Sequence, residues 1–213
     1  MYSPAHFEES RVEVLQDLVR AHPLATLVTW TGDALVANLL PLLFRPAEGA
    51  DASEGRQGSL VGHIARANPL WKTTDFSVPV LAVFQGPAHY ISPNWYPSKA
   101  HNGKVVPTWN YVVAQARGCL RLHQDPAWIR AQVAQLTAQQ EATQTQPWSV
   151  GDAPPAYTDA LLGALVGIEI PIDQWTGKWK VSQNQSAENR AGVVQGLVAA
   201  SGTAMARCVQ ERE

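Results

Sequence analysis

The stretch ATLVTWTGDALVANLLPLLF, residues 25–44, decides the fold class. Its first six residues are largely apolar and β-branched, as in a buried strand, and the apolar run at residues 34–44 predicts a second strand. Thr31, Gly32 and Asp33 lie between the two runs and are typical of a tight turn. Two strands joined by a tight turn pair antiparallel, so this stretch predicts a β-hairpin.

The rest of the chain adds further strand patterns and fewer helical ones. Strands are predicted at residues 59–65, at 79–86 with a continuation at 88–93 beyond a Gly-Pro break, at 108–123 with a bend at Gly118, at 165–172 and, after a turn at 176–178, at 179–183. Helices are predicted at residues 8–21, about 68–74, from Asp125 onward, at 157–162 and from Ser186 onward, and an exposed loop at 45–59. Strands joined mostly by tight turns indicate an α+β fold built on a mostly antiparallel barrel or sandwich with peripheral helices.

Length and composition predict a single domain, residues 1–213, with a helical C-terminal segment from about residue 186. Charged residues make up only 16% of the chain against 46% hydrophobic residues, which indicates that a partner subunit covers part of the surface. A homodimer is the simplest such assembly. The net charge of −2 gives no attraction to a phosphate backbone, and no helix-turn-helix pattern is recognisable, so we do not expect direct nucleic-acid binding.

Further sequence features predict a cytoplasmic protein. The N-terminal residues MYSPAHFEES lack the regions of a signal peptide, and the two cysteines, Cys119 and Cys208, lie far apart. No apolar run reaches the roughly 18–20 residues that span a bilayer, so no membrane segment is expected. The scattered histidines predict no metal site, and neither a nucleophile elbow nor a Cys/His pair identifies a catalytic residue.

The segment GHIARANPLWK groups cations and amides at the end of a predicted strand. His63 and Ala65 share one strand face, and Arg66, Asn68 and Lys72 follow at the strand end. Arginine offers a planar fork of donors and lysine a point charge, so such a strand end can hold a phosphate. The alternative is a solvated strand edge followed by an ordinary Asn-Pro turn, and the pattern alone leaves both interpretations open.

The segment VPTWNY places a hydroxyl, an indole and an amide in succession. Alternation along a strand puts Thr108 and Asn110 on one face and Trp109 on the other. This arrangement suits hydrogen bonding to the edge of a planar ring on one side and packing on the other. A sheet turn with a core tryptophan is the alternative.

The segment GKWKVSQN places Lys178, Lys180 and Ser182 on one strand face, with aromatic or apolar neighbours between them. Two lysines on one face suit either a half-exposed outer strand or a strand that faces a phosphate. The polar continuation SQN adds hydroxyl and amide groups that can fix a ligand or a subunit contact.

A set of ordered blocks extends these motifs over the chain: YSPAHF, HPLATLVT, LPLLF, GHIARANP, FQGPAHYISPNWYPSK, VPTWNY, DPAWI, PWSVGDAP, GIEIPI and GKWKVSQN. In this order, from Tyr2 to about Gly196, they resemble the PaiB family of FMN-binding transcriptional regulators. The resemblance implies a split β-barrel related to pyridoxamine-phosphate oxidase and the flavin reductases. It also implies a homodimer with FMN near the subunit interface and a role as a negative transcriptional regulator.

The resemblance also implies specific cofactor contacts. GHIARANPLWK matches the strand and turn that grip the flavin phosphate and ring edge in split barrels, and VPTWNY matches the next facing strand. We therefore expect Arg66 and Lys72 to hold the phosphate of FMN, and the strand from Thr108 to Asn110 to line its ring.

Two positions depart from the PaiB pattern, because Leu39 and Gln115 stand where that pattern has histidines. Any role of those histidines is therefore not carried over to this chain. The leading hypothesis is a regulatory protein in which FMN is a sensed ligand or a redox signal. Because one fold hosts several functions, a flavin-dependent oxidoreductase and a cofactor-free dimeric scaffold are the alternatives.

Overall fold

The computed structural model describes residues 1–47 and 57–212. Its ten strands are β1 Glu8–Glu9, β2 Leu24–Trp30, β3 Leu35–Pro41, β4 Leu43–Arg45, β5 Ser59–Ala65, β6 Val80–Ile91, β7 Thr108–Gly118, β8 Arg121–His123, β9 Leu165–Pro171 and β10 Gln174–Lys180. The α-helices of the described residues are α1 Val12–Ala21, α2 Leu70–Thr73, α3 Lys99–Asn102, α4 Pro126–Glu141, α5 Pro155–Gly163, α6 Ala187–Ala199 and α7 Thr203–Gln210.

The strands form two sheets. The larger has the order β1-β10-β7-β6-β2-β3 and the smaller the order β4-β5-β9-β8. The pairings β1·β10, β2·β3, β2·β6, β4·β5, β5·β9 and β8·β9 are all antiparallel. The predicted α+β class with antiparallel sheets is therefore confirmed.

The chain divides into two compact units. Unit 1 comprises Met1–Leu18, Gln85–Ala114 and Thr176–Glu213, and unit 2 comprises Val19–Phe84 and Gln115–Trp175. That these units form a single domain over residues 1–213 stays a prediction. No helix of residues 1–47 and 57–212 is long and apolar enough to cross a bilayer.

Unit 2 contains the predicted hairpin. Strands β2 and β3 pair from Leu24 opposite Pro41 to Trp30 opposite Leu35, as the sequence predicted. In the smaller sheet, β5 occupies the predicted residues 59–65 and pairs along its length with β9. The core of unit 2 consists of side chains that are almost fully buried, among them Leu27, Leu42, Leu60, Phe84, Ile129 and Ile168.

Unit 1 is held partly by a buried carboxylate near the N-terminus. Glu9, only 3% exposed, accepts hydrogen bonds from Arg11, with Nη2 at 2.8 Å from Oε2, and from Arg212 near the end of the chain. The guanidinium of Arg212 lies 5.4 Å from the centre of the Trp179 ring. The carboxylate thus joins the N-terminal segment to Arg212, and the contact of Arg212 with Trp179 adds a third part of unit 1.

Two glycines of α6 pack against an aromatic residue in unit 1. A Cβ at Gly192 would lie 2.1 Å from the backbone oxygen of Trp95, and a Cβ at Gly196 would lie 2.2 Å from its ring. Helix α6 begins after Ser186, whose side chain accepts a hydrogen bond from the backbone N–H of Asn189. The predicted helix start at Ser186 is therefore confirmed.

Two glycines were wrongly interpreted as breaks. The predicted turn at residues 176–178 lies inside β10, because Gly177 makes room for close packing: a Cβ there would meet the oxygen of Glu9 at 2.6 Å. Likewise β6 runs unbroken through Gly86, where a Cβ would meet the Leu18 side chain at 2.7 Å. Sequence alone does not distinguish a glycine that permits a turn from one that permits close approach.

Three predicted elements have different bounds in the structure. The first helix begins at Val12 and not at Glu8, because Glu8–Glu9 pair with β10 as a strand. The predicted strand at 34–44 is divided at Leu42 into β3 and β4, which belong to different sheets. The predicted strand at 108–123 is likewise divided after Gly118, where a Cβ would lie 1.8 Å from the oxygen of Pro171. Most of the predicted loop at 45–59 lies outside the described residues.

Candidate functional site

In unit 2, Arg66 follows directly after strand β5 and is already engaged by the backbone. Its Nε donates to the oxygen of Gly163 at 3.1 Å and its Nη2 to the oxygen of Leu165 at 2.9 Å. Its Nη1 donates to the side chain of Gln124 at 3.2 Å. One N–H on each terminal nitrogen remains, so Arg66 joins β5 to the start of β9 and keeps limited capacity for a ligand.

Asn68 lines a cavity of about 520 Å³ in unit 2. Its Nδ2 donates to the Oδ1 of Asn38 at 3.1 Å, and its Oδ1 accepts from the backbone N–H of Leu70 at 3.0 Å. The other lining residues are Thr29, Val36, Ala67, Pro69, Leu70 and Thr73. The cavity thus combines two amides with apolar walls, which is the usual composition of a site for a planar ligand.

Lys72 lies in α2 and is exposed. Its Nζ is 4.8 Å from the centre of the Trp71 ring, whose Nε1 donates to the oxygen of Arg66 at 2.9 Å. Among the described residues no carboxylate pairs with Lys72, so its charge is available to a ligand.

His63 and Ala65 differ in their surroundings. His63 Nδ1 lies 2.7 Å from the Oε1 of Gln132, a residue that is fully buried and whose Nε2 has no partner among the described residues. Ala65 is exposed at the end of β5 and lines a largely apolar cavity with Trp148 and Tyr157. In the segment GHIARANPLWK, Asn68 and Lys72 are therefore better placed to contact a ligand than His63 and Ala65 are.

In unit 1, the predicted residues of β7 and β10 meet. Lys180 Nζ donates to the Oγ1 of Thr108 and, at 2.7 Å, to the oxygen of Trp109. Asn110 Nδ2 donates to the Oγ of Ser182 at 2.9 Å. Thr108 and Asn110 thus contact Lys180 and Ser182. The predicted strand at 179–183 is wrong beyond Lys180, where β10 ends, and Ser182 with φ 67° lies in the bend that follows.

These four residues line a cavity of about 200 Å³ in unit 1. It is completed by Tyr96, Ser98, Lys104, Val105, Val106, Asn184, Gln185 and Asn189. None of the lining residues has a carboxylate. Burial lowers the pKa of Lys180 below the ordinary lysine value, and the neighbouring charge of Lys178 adds to this effect.

Lys178 and Trp109 do not line this cavity. Lys178 is buried, with Nζ 3.1 Å from the oxygen of Tyr2 and 5.4 Å from the centre of the Tyr111 ring. Trp109 is 58% exposed, so the alternative of a core tryptophan is wrong. Its ring centre is 6.1 Å from that of Tyr90.

Sequence reasoning missed several lining residues because they come from distant segments. Asn38 lies on β3 and meets Asn68 only through the fold. Asn189 lies on α6, where its Oδ1 accepts from the backbone N–H of Ser98 at 3.3 Å. No local pattern marks either residue. The segments VPTWNY and GKWKVSQN were the available signals for the unit 1 cavity, since Thr108, Asn110, Lys180 and Ser182 come from them.

Comparison with known families identifies a family model described as "Putative FMN-binding domain", which matches residues 1–174. An uncharacterized protein of Emericella nidulans is 34% identical, and the alignment covers 100% of this chain and 97% of that protein. The protease synthase and sporulation protein PAI 2 of Bacillus subtilis is 27% identical over 92% of this chain and 89% of its own length.

Comparison with solved structures supports the fold. The FAD and heme binding protein of Mycobacterium smegmatis superposes with a TM-score of 0.57 at 17% sequence identity, covering 81% of this chain and 73% of that one. The fold is thus of the flavin-binding split-barrel type, as the resemblance implied.

Proposed function

The chain belongs to the FMN-binding domain family of PaiB, with FMN as its cofactor, and from this premise we propose that it is a regulatory protein in which bound FMN serves as a sensed ligand or a redox signal. The name of the Bacillus subtilis relative, a protease synthase and sporulation protein, supports a regulatory role. The net charge of −2 favours regulation without direct reading of an operator.

The observation that carries this proposal is the donor set around the unit 2 cavity. Asn38 and Asn68 offer amide groups that match the alternating carbonyl and N–H groups on the pyrimidine edge of a flavin. Val36 and Leu70 offer apolar surface for its ring. The residues present therefore fit an isoalloxazine in their chemistry.

We assign the phosphate of FMN to Lys72 with Arg66. Lys72 contributes an exposed charge, and Arg66 contributes its remaining N–H groups while it holds the end of β5 in place. His63 and Ala65 are proposed as neighbours of the cofactor on the same strand. FMN supplies redox chemistry when bound, whereas these residues bind and orient it.

A homodimer is part of the proposal. Strand β3 is an edge of the larger sheet, and its alternate residues Leu35 and Leu39 are 73% and 67% exposed. We propose that a second copy of the chain packs against this edge strand and buries Leu35 and Leu39. Position 39 is one of the two positions at which the PaiB pattern has a histidine. Size-exclusion chromatography with light scattering should give twice the monomer mass, and Leu39→Glu should lower it. A monomeric mass for wild type at micromolar concentration would contradict this part.

The experiment for cofactor binding begins with a visible absorption spectrum of the purified protein and a fluorescence titration with FMN. Lys72→Met should weaken FMN binding about tenfold to a hundredfold, because a charge-assisted contact to phosphate is lost. Lys99→Met is the matched control, since Lys99 belongs to unit 1, where it donates to Asn94, and lies outside the segment GHIARANPLWK. Absence of FMN binding by wild type would refute the proposal.

A second measurement separates a regulator from an oxidoreductase. We expect bound FMN to be reduced once per site by NADH or NADPH, without steady consumption of the reductant. Continuous turnover with a small-molecule acceptor would instead identify an enzyme built on the same fold.

A further inference from the structure

The cavity of unit 1 combines apolar surface from Val105 and Val106 with a set of side chains that can donate hydrogen bonds. It has two lysines, Lys104 and Lys180, and hydroxyl groups on Ser98 and Ser182, besides several amides. A cavity with two cations and no carboxylate has a net positive charge. By charge complementarity such a cavity suits an anion.

Lys180 supplies the first argument. Its ammonium is half-buried, and both of its partners, the hydroxyl of Thr108 and the oxygen of Trp109, are neutral. Burying a charge without a counter-charge costs free energy, which is the reason that its pKa is lowered. One of its three N–H groups remains after these two hydrogen bonds. An anion in the cavity would supply the missing counter-charge.

Ser182 supplies an independent argument. Its φ of 67° lies in the left-handed region, which disfavours every residue with a Cβ. Ser201, with φ 62°, also lies there, but it directly follows the C-terminal end of α6, where such a conformation is common. Ser182 has no such explanation. Non-glycine residues held in this region concentrate at functional sites.

The hydroxyl of Ser182 is also oriented. Asn110, only 1% exposed, donates to Ser182 Oγ, so the hydroxyl accepts this bond and keeps its own hydrogen for another acceptor. Ser182 itself is only 4% exposed. A buried hydroxyl held in place in the same cavity as a half-buried ammonium gives two donors for an anionic oxygen.

We infer that this cavity is a binding site for a phosphate group, held by the ammonium of Lys180 and the hydroxyl of Ser182, with Lys104 at the rim. A phosphate carries several acceptor oxygens and matches the number of donors better than a neutral ring edge does. The phosphate can come from a free phosphate compound or from FMN itself, and in the second case Lys180 and Ser182 would take the role proposed above for Lys72 and Arg66.

The test measures binding of inorganic phosphate by isothermal titration calorimetry. Wild type should bind, and Lys180→Met should weaken binding about tenfold to a hundredfold. Lys99→Met removes the same charge from the same unit outside the cavity and should bind as wild type does. Equal phosphate affinity of wild type and Lys180→Met, together with equal FMN affinity, would overturn the inference.

Titrations with FMN and riboflavin distinguish the two sources. If Lys180→Met weakens FMN but not riboflavin, the site takes the phosphate of the cofactor. If neither flavin is affected while phosphate binding is lost, the site takes a separate phosphate compound. A wild type that binds phosphate but no FMN would refute only the proposed cofactor function.

Ser182→Gly provides a second variant that is expected to fold, because glycine adopts a positive φ without strain. It removes the hydroxyl donor and should weaken phosphate binding about twofold to tenfold. The variant relieves the positive φ but leaves Asn110 Nδ2 without its acceptor, so its melting temperature is measured alongside to confirm that it is folded. Ser201→Gly is its matched control and should leave phosphate affinity unchanged. Loss of phosphate affinity in Ser201→Gly as large as in Ser182→Gly would contradict a direct role for Ser182.

Discussion

The ends of β5 and β10 both place a cation beside amide and hydroxyl groups, but the two cations are used differently. Arg66 after β5 donates to two backbone oxygens and a glutamine, so its donors mainly hold unit 2 together. Lys180 at the end of β10 is half-buried with neutral partners and faces a cavity. Similar motifs therefore carry different functions, and the deciding property is whether the charge has been satisfied within the fold.

The largest expected effect is on Arg66. Arg66→Ala should lower the free energy of unfolding by about 2–3 kcal/mol, because three hydrogen bonds are lost and the oxygens of Gly163 and Leu165 are left without this donor. Urea unfolding followed by circular dichroism measures the change. Lys72→Met, in the same segment and exposed, is the control and should change stability by less than about 1 kcal/mol. Equal stability of Arg66→Ala and wild type would show that Arg66 does not hold unit 2 together, and so would contradict the difference drawn between Arg66 and Lys180.

Glu9 in unit 1 differs from Lys180 because it is a buried charge with partners of opposite charge, Arg11 and Arg212. Burial alone would raise its pKa, but the hydrogen bonds from Arg11 and Arg212 outweigh burial and lower the pKa from 4.5 to about 2. The folded pKa is below the unfolded one, so the stabilisation is full above pH 4.5 and is lost as pH falls toward 2.

The loss should be on the order of 2 kcal/mol. Urea unfolding at about pH 5 and about pH 3 measures it, and Glu9→Gln should show a smaller difference between these two conditions. A wild type and a Glu9→Gln variant with the same pH dependence would show that the pairing contributes no stability.

The smallest expected effect on the free energy of unfolding is that of replacing Lys180. Lys180→Met should leave the free energy of unfolding unchanged within about 1 kcal/mol, because the removed charge had no counter-charge. In wild type the folded pKa of Lys180 is below the unfolded one, so its contribution to stability rises as pH increases through that window. Thermal unfolding of both proteins between neutral and alkaline pH measures this, with Lys99→Met as control. A loss as large as that of Arg66→Ala would show that Lys180 also holds the fold.

Much of the fold was predictable from local patterns. The hairpin of β2 and β3, strand β5 and the start of α6 follow from alternation, turn residues and capping, which are properties of neighbouring residues. The errors at Gly177 and Gly86 have one cause, since the packing partner that requires each glycine is remote in sequence.

The candidate sites were predictable only in part. Alternation along a strand placed Lys180 and Ser182 on one face, and both residues do contact Thr108 and Asn110. The reasoning was nevertheless wrong, because β10 ends at Lys180 and Ser182 reaches Asn110 from the bend that follows. The partners of Arg66 were not predictable, because two of them are backbone oxygens whose position depends on tertiary structure. Residue type thus identified candidate cations, but it did not reveal that the donors of Arg66 already bond to other parts of unit 2.

The contact between α6 and Trp95 has an evolutionary consequence. At positions 192 and 196 a side chain would have to enter space filled by the backbone and ring of Trp95. Neutral substitution of these two glycines is therefore not possible in this fold. At position 196 a side chain becomes permissible once Trp95 has been replaced by a smaller residue, whereas at position 192 the obstacle is the backbone oxygen of residue 95, so the loop itself has to move. Across descendants of a common ancestor, positions 95 and 196 should therefore change together, with the loss of the tryptophan preceding the loss of Gly196, while Gly192 should persist as long as the loop keeps its path.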